Sequence, residues 1–169
     1  MSTFSTGIGS SHWGHWIHHE TVQPDQVLDD NMPTIVHFEI PADDIERAKK
    51  FYNELFGWKI EKWSGTEDNS SQLTSVATGQ TIEYWMMTTT DDNGNKALSG
   101  GMMKRQMAGH QVTNYIGVES IDEYSSKVEK LGGKVVASKH AVPGMGYFAL
   151  CIDTENNNFA IWESDGNAK

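Results

Sequence analysis

Two polar side chains stand two apart in an otherwise apolar run, His37 and Glu39 within Thr34-Ile35-Val36-His37-Phe38-Glu39-Ile40. Alternate residues of a strand share a face, so Phe38 and Ile40 point one way and His37 and Glu39 the other. An imidazole and a carboxylate on one face can act as an acid–base pair, and the carboxylate raises the proton affinity of the ring. The same two residues also suit a purely structural role, as a hydrogen-bonded polar couple. Trp85, Met102, Tyr115, Tyr147 and Trp162 lie in the strand-like stretches that accompany this run. As cleft-lining residues they would receive a planar or partly apolar ligand, and as core residues they would only fill space. His12, His15, His18 and His19 are three or four apart, a spacing at which imidazoles on a helix can share a metal. Gly14 interrupts that helix, and Trp13, Trp16 and Ile17 fit equally a tail that docks on an apolar groove. Cys151 sits within a strand with no adjacent His and reads as a small apolar residue. No glycine-rich phosphate loop, Ser–His–Asp signature or paired cysteine motif is present.

The elements that must position these residues follow from Pro33 onward. The run Thr34 to Ile40 is a strand ended by Pro41, and Asp43 or Asp44 caps a helix over Ile45 to Phe56. Ile45, Ala48, Phe51, Tyr52 and Leu55 form its buried face, and Gly57 is its stop. Strands are expected over Trp58 to Trp63, Glu83 to Thr89 and Ala97 to Met103, with a turn at Asp92-Asn93-Gly94-Asn95 and a short strand over Leu73 to Ala77. The order then recurs: a strand over Val112 to Val118, a helix over Ile121 to Leu131, a stop at Gly132-Gly133, and strands over Lys134 to Lys139, Tyr147 to Ile152 and Phe159 to Glu163. An offset of 76 superposes Ile45 on Ile121 and Gly57 on Gly133 without a gap. The chain thus reads as a duplicated βαβββ unit in the α+β class, with modules over 33–107 and 110–164 sharing one cleft. Residues 1–32 read as an N-terminal extension containing the His/Trp segment.

Composition bounds the function. The 169 residues include 37% hydrophobic and 10% aromatic residues, enough for a substantial core. There are 13 Lys and Arg against 23 Asp and Glu, a net charge of −10, and no basic residue precedes Arg47. Nucleic acid and an anionic membrane surface are therefore excluded as expected partners. No apolar run is long enough to span a bilayer, and the first residues lack the basic and apolar parts of a secretory signal, so a cytoplasmic location is expected. A single cysteine forms no internal disulfide.

The stretch His37-Phe38-Glu39-Ile40-Pro41-Ala42-Asp43-Asp44-Ile45-Glu46-Arg47-Ala48-Lys49-Lys50-Phe51-Tyr52, followed by Leu55-Phe56-Gly57-Trp58, resembles the opening of the vicinal oxygen chelate superfamily. That superfamily includes glyoxalase I, bleomycin-resistance proteins and extradiol dioxygenases. Gly100-Gly101-Met102-Met103, Leu131-Gly132-Gly133-Lys134-Val135 and Asp153 to Glu163 extend the likeness over residues 33–164, nearest the branch related to lactoylglutathione lyase. The resemblance implies a curved sheet around a cleft and, in metal-bearing relatives, one ligand from each of four inner strands. His37 matches the first ligand position. Ala97 to Arg105 offers no His, Asp, Glu or Cys for the second, the third falls among Thr113, Asn114 and Tyr115, and the fourth falls on Ala160. With one ligand of four, no metal and no cofactor are expected.

Three readings follow. The first is a glyoxalase-related protein that binds a small, partly apolar molecule and performs metal-independent lyase- or isomerase-like chemistry through His37 and Glu39. The second is a non-catalytic binding protein that sequesters or senses such a molecule. The third keeps a metal on His37 with ligands from a partner chain or the tail. A small-molecule ligand is the expected partner, with a homodimer among the assemblies the fold allows. Ala160 and Gly100-Gly101 are expected to leave room in the cleft, so that Gly101→Trp would fill it.

Overall fold

A computed structural model describes residues 32–64, 73, 75, 79 and 81–169. The His/Trp segment, the rest of residues 1–31 and most of the expected strand over Leu73 to Ala77 lie outside the described residues. The elements are β1 (Ile35–Ala42), α1 (Ile45–Phe56), β2 (Lys59–Lys62), β3 (Tyr84–Thr88), β4 (Gly100–Lys104), β5 (Thr113–Gly117), α2 (Ile121–Lys130), β6 (Lys134–Val142), β7 (Gly146–Ile152) and β8 (Asn158–Ser164).

Local chemistry fixes both helices. The Asp44 carboxylate accepts the Arg47 N–H at 2.9 Å, and Gly57 ends α1 in the left-handed region (φ 70°) while donating to the Asn53 carbonyl. Ser120 caps α2 by accepting the Glu123 N–H, and Gly132 takes a φ of 90° just past its end. The sheet covers the α1 face that carries Ile45, Ala48 and Tyr52. Phe51 and Leu55, expected on that face, are more than half exposed. The apolar stripe of α1 is wider than its contact: Phe51 lies on the flank, and Leu55 and Phe56 belong to the last turn. Tyr52 stacks on Trp58 with ring centroids 5.4 Å apart, tying α1 to the start of β2.

Pro41 does not end β1. It pairs with Met103 in the parallel β1–β4 ladder, and β1 runs on to Ala42. The other neighbour of β1 stops pairing at Glu39–Thr113, so the missing proline N–H faces an edge.

The eight strands form one curved sheet in the order β2-β3-β4-β1-β5-β8-β7-β6. β1–β4 and β5–β8 are parallel, and every other neighbour is antiparallel. The βαβββ repeat is therefore real in space, with β1 and β5 side by side at the centre. Phe38 pairs with Asn114, the residue 76 positions on, the same offset that relates Ile45 to Ile121. An internal two-fold thus passes through that pair. It sets His37 opposite Tyr115 and Glu39 opposite Thr113, and it makes His37 equivalent to Thr113 and Glu39 to Tyr115.

The duplication also repeats a turn. Asp91 Oδ1 accepts the backbone N–H groups of Asn93 and Asn95 between β3 and β4, and its Oδ2 accepts the Asn95 side-chain amide. Asp153 does the same with Glu155 and Asn157 between β7 and β8. Two cores lie on the helix side: Ala42, Trp85, Met87 and Met102 under α1, and Ile121, Ala149, Cys151 and Ile161 under α2.

Candidate functional site

The opposite face of the sheet encloses a cavity of about 780 Å³, within the range of small-molecule sites. Its walls are mostly apolar, with Trp63, Met86, Met103, Phe148, Leu150 and Trp162 among the side chains that reach it. His37 and Glu39 both project into it from β1, while Phe38 and Ile40 pack toward α1. Tyr115, opposite His37 on β5, and Trp162 on β8 line it as well.

Trp85, Met102 and Tyr147 do not. Trp85 and Met102 are a cross-strand pair buried under α1, and Tyr147 packs on the α2 side beneath the Lys139 ammonium at 4.5 Å. The reason is strand phase: on β3 it is Tyr84 and Met86 that face the cavity, on β4 Met103, and on β7 Phe148 and Leu150. Their neighbours in sequence must point to the helices.

The floor of the cavity is a cluster of four polar side chains, His37, Tyr84, Glu39 and Tyr115. Tyr115 Oη donates to Glu39 Oε2 at 2.7 Å, Tyr84 Oη lies 2.7 Å from His37 Nε2, and the Tyr84 hydroxyl also acts on the Glu39 carboxyl. The ring of His37 also bonds the Ser99 backbone. Glu39, Tyr84 and Tyr115 are all buried. Burial raises the Glu39 carboxyl, against the two tyrosine hydroxyls, which lower it. Burial lowers His37, against its bond to Ser99. Both effects favour a neutral imidazole beside a neutral carboxylic acid. The two phenols are held well above their ordinary values, first by burial and then by Glu39, so each keeps its proton.

Tyr84 explains Gly101. A Cβ at Gly101 would overlap the Tyr84 hydroxyl, and one at Gly100 would overlap the Phe38 ring. The room expected beside Gly101 is thus filled by the phenol that joins His37 to Glu39, and Gly101→Trp would displace that phenol rather than plug an open cleft. Ala160 is fully buried, opposite Tyr115.

Sequence reasoning missed several cavity residues, Tyr84 and His110 among them. Tyr84 was legible only as one of several aromatics in a strand. His110, in the segment between β4 and β5, accepts the Gln106 N–H at its Nδ1 and carried no spacing signal. The loop at Val142 to Gly146 borders the cavity through Val142 and Met145, in line with its glycine- and proline-rich sequence. Cys151 is buried, and desolvation pushes its thiol up to about 11, which suits packing rather than nucleophilic attack.

The residues do not fit the superfamily's metal. Among the described residues no three of His, Cys, Asp and Glu converge. His37 has Tyr115 opposite it, and Gly101 and Ala160 stand on the strands flanking β1 and β5. The lone imidazole is already committed to a phenol and a backbone carbonyl.

Comparison with known proteins decides the family. A "Glyoxylase-like domain-containing protein" from Didymella fabae is 30% identical over 130 residues, which span 76% of this chain and 91% of the relative. The chain belongs to the vicinal oxygen chelate superfamily. Residues 34–66 match the bleomycin resistance protein-like N-terminal family. Among solved structures, a methylmalonyl-CoA epimerase in complex with methylmalonyl-CoA and NH4+ covers 82% of this chain and 99% of its own, at a TM-score of 0.55 and 12% identity. A hypothetical protein from Bacillus halodurans C-125 covers 81% and 98%, at 0.52 and 15%. These likenesses support the superfamily fold. The superfamily's fold hosts several chemistries, so the activity has to be argued from the site. No helix among the described residues is long and apolar enough to cross a membrane.

Proposed function

We propose that the cavity binds a small, partly apolar molecule carrying a carbonyl or hydroxyl group, and that His37 and Glu39 exchange a proton with it in lyase- or isomerase-like chemistry. The observation that carries this reading is the cluster of half-buried His37 with buried Tyr84, Glu39 and Tyr115 at the base of an apolar cavity. Proton bookkeeping shows what the cluster can do. With Glu39 protonated, its O–H donates to Tyr84, Tyr84 donates to His37 Nε2, and the other ring nitrogen donates to the Ser99 carbonyl. Moving the Glu39 proton to Tyr84 Oη while the Tyr84 proton passes to Nε2 leaves a carboxylate and an imidazolium. No group other than these three changes protonation, and Tyr115 still donates to Glu39 throughout. A base and an acid are thus generated side by side without a proton from solvent.

A second reading, binding without turnover, is favoured by the same cluster, because its polar groups satisfy one another before any ligand arrives. One experiment separates the two. Acetylnaphthalene, an apolar ketone with exchangeable α-protons, is titrated against the tryptophan fluorescence, to which Trp63 and Trp162 at the cavity contribute, and then incubated with the protein in heavy water. Saturable quenching, weakened about tenfold by His37→Ala through the lost hydrogen bond, supports the cavity as the binding site. Protein-dependent deuteration that is lost in Glu39→Gln supports catalysis, whereas binding with no exchange supports the second reading. No saturable binding overturns both.

A further inference from the structure

The cavity's charge inventory is one-sided. Of the described residues that line it, Glu39 is the one Asp, Glu, Lys or Arg. Of the basic side chains near lining residues in sequence, Lys104, next to Met103, and Lys134, near Val136, are exposed and do not line the cavity, and the others are committed elsewhere. Lys62 pairs with Glu83, and Lys139 with Glu163 and Asp122. Arg105, next to the lining residue Gln106, donates to Asp43 and to the backbone carbonyls of Pro41 and His110. The sequence outside the described residues cannot add to this set, since residues 1–31 and 65–80 contain no Lys or Arg.

Among the described lining residues two imidazoles remain. His110 Nδ1 is occupied as an acceptor by the Gln106 N–H, so a proton there would break that bond. Burial, and then the Arg105 charge, hold this ring below its ordinary range. His37 is held between Tyr84 and Ser99.

From this inventory we infer that the cavity selects an uncharged ligand and rejects carboxylates and phosphates. The inference rests on the reading of the cavity as a binding site and adds the ligand's charge to it. A carboxylate entering would lose its hydration with no cation to replace it, and it would approach the acid at Glu39. An amide or ketone of the same shape loses less and can use the floor's hydroxyls and imidazole as donors and acceptors.

The test compares three probes of one ring system on the full chain at neutral pH, by isothermal titration: β-naphthamide, β-naphthoate and β-naphthyl phosphate. The amide and the carboxylate differ in charge at nearly constant shape. The expected result is saturable binding of the amide, with naphthoate and naphthyl phosphate each weaker by at least about tenfold. Naphthoate or naphthyl phosphate binding as tightly as the amide would overturn the charge selection while leaving the binding site in place. If none of the three binds, the reading of the cavity fails and this inference fails with it.

Discussion

At the scale of single residues, the site depends on a glycine with no chemistry of its own. Gly101 lets the Tyr84 hydroxyl lie against the β4 backbone, where it meets both His37 and Glu39. Gly101→Ala should push Tyr84 out of line and cost about 1–3 kcal/mol through overpacking, read by urea denaturation. The shift should also free the His37 ring, visible as a change in its nitrogen chemical shifts. Glu39 gives a prediction with a definite sign. Its folded-state carboxyl is raised, so the folded protein binds the extra proton and stability falls as pH rises through the ordinary carboxylate value of 4.5. Glu39→Gln keeps an acceptor for Tyr115 and a donor for Tyr84 and removes that titration. The variant should be more stable than wild type at pH 7, by on the order of 1 kcal/mol, and the gain should shrink toward pH 4. Equal stability at both pH values would count against a raised Glu39. The sequence revealed the faces of His37 and Glu39 because Phe38 and Ile40 had a helix to cover. It did not reveal Tyr84, because in Tyr84-Trp85-Met86-Met87 every residue is large and apolar enough for either face. Period two alone carries no phase, which is why Trp85 and Met102 were expected in the cavity and Tyr84 was not.

At the scale of elements, the sequence spoke most clearly where side chains bond to their own backbone. Asp44 and Gly57 bound α1, and the helix runs over Ile45–Phe56 as the capping chemistry implied. The paired turns at Asp91 and Asp153 are the same device used twice, each carboxylate closing two backbone N–H groups and one side-chain amide. Asp153→Ala should lower the melting temperature by releasing those donors, and Asp153→Asn should recover part of the loss; thermal melts of the two variants check this. The hydrogen bonds accepted at Asp153 also hold its carboxyl below the usual range. Helix faces were less legible than helix ends. Phe51 and Leu55 satisfied the periodicity, but whether an apolar position is covered depends on how far the sheet reaches beneath it, which is set by strands distant in sequence.

At the scale of the whole molecule, the two βαβββ units meet through the β1–β5 ladder and the floor of the cavity. Neither half holds the cavity floor alone, since Glu39 and Tyr84 belong to one and Tyr115 to the other. A fragment over residues 33–107 should therefore show little far-ultraviolet signal by itself, because it leaves β1 an open edge and the cavity face in water. Mixing it with a fragment over 108–169 should restore the spectrum. A well-folded isolated half would show that the inter-unit ladder contributes less than its place in the sheet implies. The repeat was legible from the order of elements and the offset of 76, whereas the parallel pairing of β1 with β4 was not, because it joins residues some sixty positions apart.

The two-fold at Phe38–Asn114 has a stereochemical consequence. The backbone around it is repeated, but the side chains are not: where one half carries His37 and Glu39, the other carries Thr113 and Tyr115. A flat ligand turned over about that axis meets the same strands with the proton donors on its other side. Any proton leaving the cluster through Tyr84 or His37 therefore arrives from one direction, and a prochiral carbon held there would emerge with one handedness.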